Sequence, residues 1–229
     1  MRTIALLALF ALVGCTNTNP SLVVLGSMVP SEANIFGCLF DPEDPKFVLS
    51  PTLNVAPISN LANQPEDDYQ PVFLVQNQRV RRPSDLSPNT ADVMLQFAQV
   101  ELLDAAGTPL VFAGLPNPFR LPVPGFSYVP SAADGETPGA GTIGVTLVPT
   151  VYQSGLTDGY IIAEAKFFGV GVDGEPVESS PFRLTIEICR GDCLFLCADT
   201  DAEPITGCTV GHDYITAFPE LNGALGCGG

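Results

Sequence analysis

The chain reads as all-β, an antiparallel β-sandwich followed by a cysteine-rich tail, and three observations predict it. Short apolar runs of β-branched and aromatic residues recur between residues 71 and 188, several of them alternating with polar residues. Turn residues separate them, drawn from 22 Gly and 22 Pro scattered without a collagen-like period. A helical period is almost absent. Two antiparallel sheets packed face to face bury many short strands of this kind.

The elements follow in order. Residues 17–20 form a short polar tether, and residues 21–28 a first strand or an apolar linker. Residues 41–68 repeat Pro, Asn and acidic residues with brief apolar runs such as 47–49, which predicts extended irregular chain with edge strands, because proline cannot donate to a ladder. Residues 71–77 are a β-rich run ending before the basic turn 79–82. Val93, Leu95 and Phe97 then alternate with Met94, Gln96 and Ala98; beyond Gln99 the apolar phase moves to Val100 and Leu102. That switch predicts a bulge or bend in a strand, with a helix as the rival.

Residues 104–107 read as a turn, 109–113 as a returning strand, and 119–123, 127–129 and 142–149 as further strands, with 135–141 a flexible loop. The firmest pattern is a hairpin. Ile161, Ala163, Ala165 and Phe167 share one side of a strand whose wetter side carries Glu164 and Lys166. Residues 172–176 turn the chain, and Phe182, Leu184, Ile186 and Ile188 alternate with Arg183, Thr185, Glu187 and Cys189 on the return. The stretch Leu156-Thr157-Asp158-Gly159-Tyr160, with the following strand and Ser179-Ser180-Pro181-Phe182, resembles the late strands of fibronectin type III and immunoglobulin-like modules. The resemblance implies a leucine–tyrosine corner between the sheets. It covers about thirty residues, and the chain has no Trp to mark the core.

Met1-Arg2 supplies a positive start, residues 4–13 an unbroken apolar run, and Gly14 a small residue, the layout of a secretory signal. Leu12-Val13-Gly14-Cys15 resembles the lipobox of bacterial lipoproteins. That family implies cleavage before Cys15, S-acylation of Cys15 with diacylglycerol and acylation of its new amino group, palmitate being the usual chain. Thr16, where an aspartate would imply retention at the inner membrane, implies the outer membrane. The alternatives are an ordinary signal peptide or a membrane helix, and the run is too short to span a ~30 Å hydrocarbon core. The expected organisation is a signal peptide at 1–14, a lipidated tether at 15–28, the β-sandwich at 29–188 and the tail at 189–229.

The formal charge is −16, and removal of Arg2 with the signal takes it to −17. The basic footprint of a nucleic-acid binder is therefore missing. Such a surface serves solubility, or cations and basic partners. Of seven cysteines, assigning Cys15 to lipid leaves Cys38, Cys189, Cys193, Cys197, Cys208 and Cys227. Six thiols in an oxidising compartment predict three disulfides, with Cys38 paired to the tail if all are oxidised and the pairing otherwise open. Zinc is the rival for Cys189, Cys193 and Cys197, whose C-x3-C-x3-C spacing is not that of paired C-x2-C knuckles.

Catalytic equipment is sparse. His212, the single histidine, is followed by Asp213, but adjacent side chains do not face each other as a triad requires, and no Gly-x-Ser-x-Gly elbow is present. The acidic groups Glu66-Asp67-Asp68 and Asp41, Glu43 and Asp44 lie in proline-rich segments that would hold two carboxyls poorly at a fixed distance. Asp199, Asp201 and Glu203 alternate as calcium ligands do, but lack the glycine and distal glutamate of an EF-hand loop. Arg190-Gly191-Asp192 spells an adhesion tripeptide short enough to arise by chance. No phosphate loop or dinucleotide fingerprint occurs. The expectation is a non-catalytic binding or structural module of the cell envelope, without cofactor or catalytic residues. It would be held to the membrane through Cys15 and would contact an envelope protein or surface ligand. The alternatives are a carbohydrate- or calcium-binding accessory domain, and a hydrolase using the acidic residues.

Overall fold

A computed structural model describes residues 20–34, 37–49, 51–55, 68–79, 90–124, 127–132 and 137–190, the side chains of 32–38 and 54 excepted. In chain order the elements are β1 (Leu22–Val29), β2 (Glu32–Asn34), β3 (Gly37–Leu39), β4 (Lys46–Phe47), β5 (Thr52–Asn54), β6 (Val72–Asn77) and β7 (Val93–Asp104). Then follow β8 (Phe119–Pro122), β9 (Tyr128–Val129), β10 (Gly139–Gly144), α1 (Thr150–Gln153), β11 (Gly159–Gly171), β12 (Pro176–Glu178) and β13 (Phe182–Cys189). The all-β expectation holds. A narrow sheet has the order β10-β6-β1-β4, and a wide one β5-β13-β11-β7-β8, with β12 added to β11 and β9 to β7. Every pairing is antiparallel except that of β5, which runs parallel to β13.

One buried cluster joins the inner faces of the two sheets. Leu22, Phe73, Val75, Ile143 and Val145 from the narrow side meet Val100, Leu102, Ala163, Phe167, Leu184 and Ile186 from the wide side. Phe73 sits edge-on to Phe167 at 5.8 Å and to Phe182 at 5.5 Å. Such aromatic pairs contribute about 0.5–1.5 kcal/mol beyond the area they bury. The expected hairpin is present: β11 pairs with β13 from Gly159 opposite Ile188 to Ala165 opposite Phe182. Beyond it, buried Ser179 bonds Phe167 through both its backbone N–H and its Oγ, each at 2.9 Å, so the same edge of β11 is handed from β13 to β12 without an orphaned amide.

The bulge expected in β7 exists and lies earlier than expected. The β7–β11 register shifts between Phe168 opposite Phe97 and Gly169 opposite Leu95, so Gln96 is the extra residue. Val93 and Leu95 therefore point inward before it, and Ala98, Val100 and Leu102 after it, while Phe97 turns outward instead of joining Val93 and Leu95.

Three further expectations change. Residues 109–113 form isolated bridges rather than a returning strand. The Leu110 N–H still reaches the Leu102 carbonyl at 2.9 Å, and the Asn117 side chain completes this edge of β7: its amide donates to the same carbonyl at 2.7 Å and its Oδ1 accepts from the Leu102 N–H at 2.9 Å. The strand expected at 142–149 starts at Gly139, inside the expected flexible loop, and ends at Gly144. Glycine is required at both positions for the backbone of residues 128–130 to lie against β10, since a Cβ at 139 would lie 2.1 Å from the Pro130 carbonyl oxygen and one at 141 2.7 Å from that of Tyr128. Finally, Tyr160 is exposed on the outer face, so it makes no corner; Leu156 is buried, and Tyr152 of α1 instead donates to the Pro116 carbonyl at 2.6 Å.

β1 begins at Leu22, so the stretch expected as tether contributes its last residues to the narrow sheet. Leu22 pairs with Asn77, and the Gln78 N–H reaches the Ser21 carbonyl at 2.8 Å. The chain thus enters at the end of the molecule that holds the start of β7 and the end of β11. It leaves at the other end, where Cys189 lies beside Asn54.

Candidate functional site

The outer face of the wide sheet and its adjoining turn carry exposed apolar and aromatic side chains, Met94, Tyr128, Tyr160 and Val172. Its pleat places Met94 opposite Tyr128 on one side and Val170 on the other. Met94, Tyr128 and Val172 are 45%, 44% and 53% exposed, a contiguous apolar rim at the end where the chain enters. The bulge at Gln96 brings Phe97 into the next row, opposite Phe168 and Pro122.

Beneath the rim lies a buried polar cluster. Asp92 is 3% exposed; its carboxylate accepts from the Tyr128 hydroxyl and, at 2.7 Å, from the Ser131 N–H, and its backbone carbonyl accepts from the Val172 N–H. The hydrogen bond to Asp92, then burial, then the Asp92 charge push the Tyr128 phenol up to about 12, so it stays neutral in any physiological medium. Asn77, fully buried, donates to the Ala91 and Val129 carbonyls at 2.9 and 3.3 Å and accepts from the Arg79 N–H at 3.0 Å. Arg79 forms an ion pair with Asp173, which holds the Asp173 carboxyl below the ordinary range. A tyrosine kept protonated and carboxylates already bonded make a frame for loops, not an acid–base pair.

Further along the face, charge and aromatics form a ladder. Phe97 and Phe168 stack at 4.8 Å with 12° between planes, Arg120 lies 5.1 Å from the Phe97 centroid, and Lys166 5.3 Å from that of Phe168. Exposed cation–π contacts of this kind contribute about 0.5–1 kcal/mol each. Lys166 also bridges Glu178 at 2.9 Å, and Arg183 bridges Glu164 at 2.6 Å. Because each ring stacks on the other and takes a cation, this pair is not an open platform on which a sugar could stack.

The residues expected from sequence fall elsewhere. Cys15, Cys193, Cys197, Cys208, Cys227, Asp199, Asp201, Glu203 and His212 lie outside the described residues, and of Cys38 only the backbone, in β3, is described. Cys189 ends β13. Asp41 closes a local turn, its Oδ1 accepting from the Glu43 N–H at 2.8 Å. Asp68 accepts from the N–H and hydroxyl of Thr150, satisfying the start of α1. The Arg190 guanidinium bonds the Leu156 carbonyl, which ties it into the fold. Asp92, Tyr128 and Met94 carried no motif; the signal that could have found them was the position of the β7 bulge.

Among the described residues no group of three or more His, Cys, Asp and Glu is placed to hold a metal ion, and no helix is long and apolar enough to cross a membrane. No family model matches the chain, and no curated protein matches it. A solved structure named as the X-ray structure of Northeast Structural Genomics Consortium target SoR45 is similar at 16% identity, over 53% of this chain and 76% of that one, with a TM-score of 0.27. At that score the likeness bears on neither fold type nor function.

Proposed function

We propose that the chain is a bacterial lipoprotein, acylated on Cys15, whose β body is a non-catalytic binding or structural module of the outer membrane. The observation that carries it is Leu12-Val13-Gly14-Cys15 at the end of an apolar run that is too short to span a bilayer. Two or three acyl chains hold a protein almost permanently, so no second anchor is required. The remaining six cysteines are an even set, read as a staple between the tail and the body.

The body reads as an immunoglobulin- or fibronectin III-like sandwich. β1, β6 and β10 stand in the order of strands A, B and E, and β8, β7, β11 and β13 in that of C′, C, F and G. β5 lies parallel to β13 as a second segment of strand A would. In such modules edges, end loops and outer faces carry contacts, and the rim of Met94, Tyr128 and Val172 supports a binding role.

Mass spectrometry of the mature protein tests the anchor. A diacylglycerol and fatty-acid mass on an N-terminal Cys15, lost in Cys15→Ser, is expected; an unmodified leader or another N-terminus would refute it. For the membrane, Thr16→Asp is expected to move the protein from the outer to the inner membrane fraction, and wild type already found in the inner fraction would overturn the placement.

A further inference from the structure

We infer that the rim formed by Met94, Tyr128 and Val172 rests on the phospholipid surface to which the chain is anchored, so that the body has a fixed orientation on the bilayer. This rests on the lipoprotein reading of Cys15. Seven residues of chain lie between Cys15 and Leu22 inclusive of the latter, and at ~3.3–3.6 Å per residue they reach at most ~25 Å. β7 alone, with 12 residues, is about 40 Å long at ~3.4 Å per residue. The tether therefore holds one end of the body near the lipid and cannot bring the other end to it without laying the molecule flat.

The tethered end is the one that bears the rim. Leu22 pairs with Asn77, whose side chain bonds the carbonyls of Ala91 and Val129, the residues flanking Asp92 and Tyr128. Val172 joins them through its N–H on the Asp92 carbonyl. Three side chains of about half exposure there suit the interface between headgroups and acyl chains, and because the Tyr128 hydroxyl is held by Asp92, its ring adds apolar surface without a free hydroxyl.

Charge does not oppose the contact as the net −16 of the chain would suggest. Asp92 is capped by the Tyr128 hydroxyl and the Ser131 N–H, and Asp173 is neutralised by Arg79. Of the described carboxylates in this rim and its adjoining turn, Glu175 is left exposed without an ion pair.

The absence of Trp from the chain makes the test direct. The full-length acylated protein would be reconstituted into vesicles of phosphatidylethanolamine and phosphatidylglycerol with Val172→Trp as the sole tryptophan. Val111→Trp, at a 96% exposed position near the Asp104 turn at the far end, is the control. Blue-shifted emission that is lost when brominated phospholipids replace ordinary ones is expected for V172W, with V111W emitting as in water. A vesicle-floated V172W protein that brominated lipid does not quench, or equal quenching at both positions, would overturn the orientation while leaving the anchor intact. A protein that carries no acyl mass and does not float would overturn the anchor, and this inference with it.

Discussion

Single residues decide how the parts of this fold can approach one another. Gly139 lets the backbone at Pro130 cross β10, and a Cβ there would sit 2.1 Å from a carbonyl oxygen that cannot rotate away, whereas a Cβ at Gly144 would meet only the tip of Val72 at 3.9 Å. Gly139→Ala is expected to cost about 1–3 kcal/mol, as overpacking does, and Gly144→Ala well below that, read as the shift of urea midpoint between the two. Tyr128 gives a pH signature. Its folded pKa is raised from 10.0 to about 12, so the protonated phenol is favoured by folding. The stabilisation is complete below pH 10 and is lost as pH rises towards 12. Thermal melts between those values are expected to fall less steeply for Tyr128→Phe than for wild type, and parallel curves would show that the Asp92 hydrogen bond carries no linked stability.

At the scale of elements, Asn117 completes an edge of β7 that Pro109 and Leu110 pair only in part. Its amide completes the backbone of Leu102 from both sides and reaches the Leu110 carbonyl at 2.8 Å, so Asn117→Ala would leave part-buried backbone groups unpaired. A loss of about 1–3 kcal/mol is expected from denaturant titration, and a value near zero would mean that the Leu110–Leu102 bond holds this edge without the Asn117 amide. This completion by one side chain also explains what could be read in advance. Ile161, Ala163, Ala165 and Phe167 are all buried because an alternating apolar run paired with a second such run leaves one register that buries both. The expected strand at 109–113 failed because alternation says nothing of a competing donor and acceptor pair several residues away. The glycine run before residue 142 read as flexible because a sequence shows the missing Cβ and not the carbonyl that occupies its place. Likewise Met94, Phe97 and Tyr128 became a face only through the one-residue bulge at Gln96, which an apolar pattern located to within a few residues but not to the residue. The proposed lipid anchoring rests on Cys15 and its neighbours alone, because a processing signal acts as linear sequence.

For the whole molecule, polarity from end to end is the organising feature. β1 begins beside Asn77, β11 and β7 run the length of the body, and β13 delivers Cys189 to the far end, next to β5. β1 ends at Val29, nine residues before Cys38. The proposed staple would then close the end that the lipid does not hold, tying the last 41 residues (189–229) to the wide sheet at the exit of its β13 strand. Each bridge would contribute about 2–4 kcal/mol by restricting the unfolded chain, and for a domain of this size one kcal/mol moves the melting temperature by about 2–4 °C. Reduction of the full-length protein is therefore expected to lower its melting temperature by between about 4 and 16 °C per bridge broken, with the far-ultraviolet signal of the sheets retained at low temperature, since no cysteine is among the described residues of the core around Phe73 and Phe167. Cys38→Ser should reproduce part of that loss if Cys38 is the link to the tail. An oxidised protein that melts as the reduced one does would discard the staple, and would leave the tail as an appendage that contributes nothing to the stability of the body.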